Sequence, residues 1–388
     1  MYGIMPQYGL VPHSGGSMRR PVIPFTILIS AGESENDMAI KVGILGFAHG
    51  HVGSYGAQIM QHPEWGLEFV AGWDHDAGRA EKSCANFKIP ALESPEAVIA
   101  LSDAIIVSSE TVYHADLVVK AADAGKQIIC YKPMALRMEE ADRMVEAVER
   151  NKVPFTLGYQ MRVDPQNIRM KELITDGTLG KICLFRRRHC LSTHLWGNFE
   201  DTWHNSEFYN RDIFADDASH PIDMMNWIFG VPETVSCELS TVVNPKVPND
   251  VGVSTFKYAN GTICEISCCF SCCAAEITTE IYGSKGSVQQ YYGDGVSTGL
   301  ARPEGQPGLK WMLAGDKAWT DSGIPSPAGH GERIAAQGEQ FAAFLRGERE
   351  PICSVYEARN SLRMVLASYV SAKYGERVRI DDPRVYEI

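Results

Sequence analysis

The chain has 388 residues, 45% hydrophobic and 22% charged, and a formal net charge of -12. That balance excludes a general polyanion binder, because nucleic-acid affinity is mostly neutralisation of phosphates by Lys and Arg, and the length suits two domains better than one core. No stretch approaches the roughly 20 consecutive apolar residues that span a bilayer, so neither a membrane nor a nucleic acid is expected as a partner.

In chain order, residues 1–38 come first. Met18-Arg19-Arg20 followed by an apolar run from Pro21 to Ala31 imitates a secretory signal. Prolines interrupt that run, however, and eighteen residues precede the basic pair. The segment reads as a non-structural extension ahead of Met38-Ala39-Ile40-Lys41, which would itself open a first strand, and the protein is expected in the cytoplasm. From there the runs KVGILG, LEFVAGWD, DAIIVSS, KQIICYK and PFTLGY predict strands buried on both faces. Helical patterns fall between them at Val52–Met60, Ala77–Asn86, His114–Ala124 and Arg137–Asn151. The last has Glu139, Glu140 and Asp142 early and Arg150 late, as the helix dipole favours. This alternation predicts a parallel, doubly wound Rossmann domain over residues 39–160.

After Arg162 the pattern changes. A helix at Pro165–Thr175 leads to a basic strand, then to a His- and Trp-rich stretch from His189 to Trp203 and a helix near Asp216–Phe229. Alternating strands from Thr234 to Val296, parted by Asn-Gly and Gly-Ser turns, predict one large, mostly antiparallel sheet. Gly293–Gly331 is rich in Gly and Pro and reads as loop, and a helical pair over Glu332–Lys373 closes the chain. Residues 161–388 are thus expected to form an α+β substrate-binding and oligomerisation domain, making the whole an α/β protein. The run Arg186-Arg187-Arg188 is expected at an exposed strand edge or in an internal ion-pair site. Of the eleven cysteines, Cys264, Cys268, Cys269, Cys272 and Cys273 crowd into one segment. Thr262–Ile281 alternates like a strand, which would point Cys264, Cys268 and Cys272 one way and Cys269 and Cys273 the other. Buried thiols at a sheet interface account for them without a metal, and they imply a reducing compartment.

The chemistry starts in KVGILGFAHGHVGSYG. In a βαβ dinucleotide site one glycine permits the tight turn, a second lets the backbone approach pyrophosphate and a third packs helix on strand. Gly46 keeps the first role, Ala48 is a small replacement at the second, and His51 stands at the third between Gly50 and Gly53. Gly46, Phe47, Ala48, His49 and His51 are the candidate phosphate contacts. Asp74 at the end of LEFVAGWD is placed to accept ribose hydroxyls of NAD, while nearby His75 and Arg79 leave NADP open.

The stretches SSETVYHADLVVKAADAGKQIICYKPMAL and GYQMRVDPQN, with EARNSLRMVLASYVSAKYGERVRI near the end, resemble the glucose-fructose oxidoreductase, inositol dehydrogenase and MocA (Gfo/Idh/MocA) family of oxidoreductases. That family carries Pro-Asn ahead of a histidine and then a Glu-Lys-Pro tripeptide. Here the histidine is His114 and the tripeptide is Tyr131-Lys132-Pro133, with Glu110 and Thr111 in place of the Pro-Asn. The resemblance adds Ser108, Ser109, His114, Tyr131 and Lys132 to the cofactor contacts. Lys132, at the carboxyl end of a strand where open α/β sheets place ligands, can stabilise alkoxide character on a substrate oxygen. In FADDASHPIDMMNWIFG, Asp216, His220, Asp223 and Trp227 are spaced to share one helix face. The resemblance makes His220 the proton acceptor or donor, puts Asp216 beside it and has Asp223 orient the helix or the imidazole. Asp217 competes for the carboxylate role, and no third ligand set argues for a metal. Arg162, Asp164 and Asn167 are expected to line the cleft, with Tyr159, Trp196, Trp203 and His204 as weaker candidates; Arg162 and Trp203 join Lys132, Asp216 and His220 as substrate contacts. The family resemblance implies hydride transfer between a sugar or polyol secondary alcohol and NAD, in a homo-oligomer (dimer or tetramer). Two alternatives stay open: a permanently bound NAD recycled within one catalytic cycle, and a non-catalytic sensor that retains the fold.

Overall fold

The structure is a computed structural model that describes residues 39–273, 277–291, 304–325, 327 and 330–388. The expected extension over 1–38 and part of the Gly293–Gly331 loop lie outside these residues. Five strands, β1 (Ile40–Leu45), β2 (Leu67–Trp73), β3 (Ala104–Val107), β4 (Gln127–Tyr131) and β5 (Phe155–Gly158), form a parallel sheet in the order β2-β1-β3-β4-β5. Helices α1 (His51–Gln61), α2 (Ala77–Phe87), α3 (Pro95–Leu101), α4 (His114–Asp123) and α5 (Met138–Asn151) connect them. Four of these helices fall where the periodicity places them. The seven-residue α3 is the addition, started by the Ser94 hydroxyl accepting from Ala97 N–H with Pro95 in the first turn. α5 is closed at its start by Glu140, whose carboxylate accepts from Arg137 N–H. Strands β3 and β4 are almost wholly buried, as the continuous apolar runs require.

The chain then forms α6 (Pro165–Thr175), β6 (Ile182–Cys190), α7 (Glu207–Asn210), α8 (Ile213–Asp217) and α9 (Ser219–Phe229). Next come β7 (Thr234–Ser240), β8 (Val251–Lys257), β9 (Ile263–Cys269), β10 (Thr278–Gly283), β11 (Gly286–Gln290), β12 (Leu309–Leu313) and β13 (Thr320–Asp321). The chain ends with α10 (His330–Ala335), α11 (Gln337–Leu345), α12 (Val355–Tyr374) and β14 (Val378–Arg379). The second sheet runs β13-β12-β11-β10-β6-β9-β8-β7-β14 and is antiparallel except for the β6–β9 pair. The Gly/Pro-rich segment expected as loop therefore contributes β12 and β13. The basic run lies on β6 in the middle of the sheet, not at an edge. There Arg186 pairs with Glu265 and Glu280 across strands. Arg187 points inward onto Thr279, its pKa pushed down to about 10 by burial. The cysteine-rich strand is shorter than its alternation suggests. β9 ends at Cys269, so Cys264 and Cys268 are buried on one face while Cys272 and Cys273 lie beyond the strand.

The helix expected over Asp216–Phe229 is broken. It is two helices, with Asp216 in α8 and His220 and Asp223 in α9. Asp223 does not pair with the imidazole: it accepts from Arg162 Nε and Nη2 (both 2.8 Å) and from Ser361 Oγ (2.8 Å). Arg162 Nη1 also donates to Glu357 (2.7 Å) and to the Ile352 carbonyl (3.1 Å). Arg162 thus does not line the cleft: it ties the turn after β5 to α9 and the start of α12. Asp164 and Asn167 are structural too. Asp164 caps α6 and pairs with Arg333, and Asn167 donates to the Met161 carbonyl. Removing one side of a buried, hydrogen-bonded ion pair leaves the other uncompensated, so Asp223→Ala is expected to lower unfolding stability by about 3–5 kcal/mol. Urea melts check this, and a loss below about 1 kcal/mol, the size of an exposed pair, would contradict a stabilising role.

Candidate active site

The loop after β1 fits a dinucleotide. Gly46 has φ +86, and a Cβ there would lie 2.4 Å from the Ser109 Cα, so the turn admits only glycine without strain. Gly50 and Gly53, by contrast, face open space. No side chain caps the N-terminus of α1 and its first turn holds no acid, a setting that favours an anion, although Val52 and Gly53 N–H already donate to the His49 and Gly50 carbonyls. Phe47 N–H donates to Asp74 (2.7 Å) and Ala48 O accepts from Trp203 Nε1 (3.2 Å), so both ends of the turn are held by side chains.

Ser108 and Ser109 close this loop from β3: the Ser108 hydroxyl donates to the His49 carbonyl, and the Ser109 backbone packs against Gly46. His114, fully buried, sets its two ring nitrogens 2.8 and 3.1 Å from the carbonyls of Pro133 and Ser109. It holds the β3 and β4 ends together and makes no surface for a ligand. Tyr131 is likewise buried. Its hydroxyl meets His51 Nδ1 at 2.8 Å and donates to Gln337 (2.6 Å), and its ring lies 4.4 Å from that of His49. Ser108, Ser109, His114 and Tyr131 thus support the loop from behind, where the resemblance implies contact with the cofactor.

The Lys132–Pro133 bond is cis. Lys132 projects from the carboxyl end of β4 into a cavity of about 310 Å³ between the two sheets. His49, His51, Gln160, His189, His204, Asp216, Asp217 and His220 supply its polar lining, with Trp196 and Phe199 as aromatic walls. Lys132 Nζ donates to Asp216 Oδ1 at 3.0 Å, both side chains being almost fully buried. His220 Nε2 lies 3.7 Å from Asp217 Oδ1 and 3.4 Å from the Gln160 amide. Asp217 Oδ1 is also 3.6 Å from His189 Nε2. Asp216 therefore serves the lysine and Asp217 the histidines. Burial and then the Lys132 charge hold the His220 pKa well below its usual 6.5. Burial pushes the Asp217 carboxyl up, but His189, Lys132 and His220 together bring it below the ordinary range.

Of the expected residues, the structure gathers Lys132, Asp216, His220, His49, His51, Trp196 and His204 at the cavity. Trp203 is turned onto the glycine loop, and Tyr159 stands behind His220 with ring centroids 6.0 Å apart. His189 and Gln160 were not anticipated. His189 belongs to the inward face of β6 with Phe185 and Arg187, a period of two that the sequence displays, but nothing local says which face meets the cavity. Among the described residues no group of three or more His, Cys, Asp or Glu side chains is placed to hold a metal ion, and no helix is long and apolar enough to cross a membrane.

Comparison with known proteins agrees with this architecture. Residues 40–159 match the model of an oxidoreductase family with an NAD-binding Rossmann fold, and residues 168–289 match the GFO/IDH/MocA C-terminal domain. Inositol 2-dehydrogenase 3 of Saccharopolyspora erythraea is 28% identical over 274 residues, 68% of this chain and 76% of that protein. The scyllo-inositol 2-dehydrogenase (NAD(+)) of Bacillus subtilis is 25% identical over 360 residues, 89% of this chain and 98% of that one. The solved WlbA dehydrogenase from Bordetella pertussis, in complex with NADH and UDP-GlcNAcA, superposes with a TM-score of 0.77 at 22% identity, covering 88% of this chain and 98% of its own. Since the two family models together span more than half of the sequence, the chain belongs to the GFO/IDH/MocA family of NAD-binding oxidoreductases.

Proposed function

We propose that the protein is an NAD-dependent dehydrogenase that oxidises a secondary alcohol of a sugar or polyol. The observation that carries this reading is the opening of Lys132 and His220 onto one cavity, each with its own carboxylate. The inositol dehydrogenases among its relatives support the substrate class, as does a lining that mixes aromatic faces with many hydrogen-bonding groups. NAD, when bound, supplies the hydride acceptor. The chain supplies the proton chemistry: Lys132 donates to the alcohol oxygen and stabilises alkoxide character, and neutral His220 accepts the proton. Asp216 fixes the ammonium, Asp217 orients the imidazole, and Gly46, Gly50 and the open N-terminus of α1 receive the diphosphate. One face of β8 is exposed residue by residue while the other is buried, which supports assembly into a homo-oligomer through the outer face of the large sheet. A cytoplasmic location accords with cysteines that are all free among the described residues.

A screen of sugars, inositols and glycosides at the nicotinamide absorbance tests the reading. On any substrate found, Lys132→Ala and His220→Ala should each lower kcat by about 10²–10⁴-fold, the usual worth of a positioned proton-transfer group. Full activity in both variants would sink the assignment.

The pH dependence has a definite sign. With its pKa held well below 6.5, His220 stays neutral and able to accept a proton as pH falls through 6.5, so kcat/KM for oxidation should not drop there as it would for an ordinary imidazole. Stability should behave oppositely. Burial lowers the pKa values of His49, His114, His189, His204 and His220 alike. Each therefore binds a proton in the unfolded chain before the folded one, and its contribution, complete above the unfolded value, is lost as pH falls below it. Each such group costs up to about 1.4 kcal/mol per pH unit, so melts at pH 7, 6 and 5 should show a steep, cooperative loss of stability. A thermal midpoint that stays flat from pH 7 to 5 would contradict the neutral, buried state of these rings.

A further inference from the structure

Strands β2 and β3 flank β1 in the parallel sheet, and the crevice above their carboxyl ends is where such sheets take the adenosine half of a dinucleotide. Asp74, just after β2, is the residue that sequence reasoning assigns to the ribose. Its carboxylate is already full. Oδ2 accepts from Phe47 N–H (2.7 Å) and Arg79 Nε (2.8 Å), and Oδ1 from Asp76 N–H (2.9 Å) and Arg79 Nη2 (2.7 Å). Four donors use the roughly four lone-pair directions that a carboxylate offers.

Glu110, just after β3, is different. It stands where the family resemblance has a proline. It is 3% exposed, and its Oε1 accepts from the same Arg79 Nη2 at 2.8 Å. Its Oε2 has no hydrogen-bond partner among the described residues, with His75 Nδ1 3.5 Å away. A buried carboxylate oxygen without a donor is costly unless a ligand completes it. Arg79, the cation that could otherwise attract a 2′-phosphate, is held between the two carboxylates, so the three groups together carry a net negative charge.

Resting on the reading that the chain binds NAD, we infer that Glu110, and not Asp74, is the acceptor for the adenosine ribose hydroxyls. By holding Arg79 between two carboxylates, Glu110 also makes the site select NAD over NADP. The ligand chemistry is an unphosphorylated ribose diol, and a 2′-phosphate dianion would be repelled.

Equilibrium titration of the full chain with NADH and with NADPH, followed by nicotinamide fluorescence, tests this without any substrate. The wild type should bind NADH more tightly by about tenfold or more, the scale of one unscreened charge contact. In Glu110→Gln, which removes the charge and keeps the shape, the NADPH-to-NADH affinity ratio should rise by about tenfold. Adding Arg79→Ala to that variant should abolish the gain, because the released guanidinium is what reads the phosphate. Glu110→Ser serves the same purpose if the Gln variant does not fold by its thermal melt. A ratio in the Glu110 variants that stays within about twofold of wild type overturns the inference, as does a wild type that prefers NADPH. A wild type that binds neither nucleotide overturns the dehydrogenase reading itself, an outcome distinct from a protein that binds NADH but whose preference ignores Glu110.

Discussion

The site depends on one buried cation. Lys132 sits at the end of β4, 4% exposed, and its ammonium is compensated by Asp216 at 3.0 Å. A lone charge at that depth would cost several kcal/mol. The Asp216 carboxylate offsets that cost, and the paired charge shapes what lies near it. It adds to burial in holding His220, His49, His189 and His204 neutral, and it helps hold Asp217 ionised. A cationic ammonium, neutral imidazoles and an ionised carboxylate thus share one neighbourhood, their charge states set apart by burial and by each other.

That arrangement needs the two sheets held in register, because Lys132 comes from the parallel sheet and its carboxylate from α8. The second buried cation, Arg162, provides part of the hold. It leaves the turn after β5 and grips Asp223 on α9 and Glu357 at the start of α12. His220 lies three residues before Asp223, one turn back on α9, so fixing Asp223 to the turn after β5 fixes where the neighbouring imidazole can be. Arg162 therefore affects the site through geometry, without touching what the cavity holds.

The sequence made the architecture legible where periodicity is strong. Short runs such as AIIV and QIICY, alternating with helical patterns, read as doubly buried strands, and the Glu-rich start of α5 marks its own boundary. Lys132, Asp216 and His220, which each sit in a local motif, come together at the cavity. What escaped has a common cause, namely dependence on a partner far along the chain. Asp216 and Asp223 keep helical spacing, yet the chain bends between α8 and α9 and places them in different ion pairs. Arg162 reads as a cleft residue until Asp223, 61 positions away, is placed against it. His189 reads as the start of a His- and Trp-rich stretch, whereas β6 runs on to Cys190 and takes His189 into the sheet.

The departures from the dinucleotide template follow the same logic and come in contacting pairs. His51 stands where a glycine is usual and Tyr131 where the tripeptide resemblance has glutamate; the two are hydrogen bonded at 2.8 Å. With its own proton directed to Gln337, the Tyr131 hydroxyl offers His51 an acceptor. Glutamate at 131 would meet the same ring as a charge in a fully buried place and would need a cation there. A neutral phenol needs only a donor and an acceptor, which His51 and Gln337 provide. Glu110 and Arg79 form the other pair, a carboxylate in place of proline meeting an arginine that a lone Asp74 would leave partly unmatched. Each oddity that weakens the fingerprint when read singly thus has its physical counterpart elsewhere in the chain, and a substitution at one member is felt first at the other.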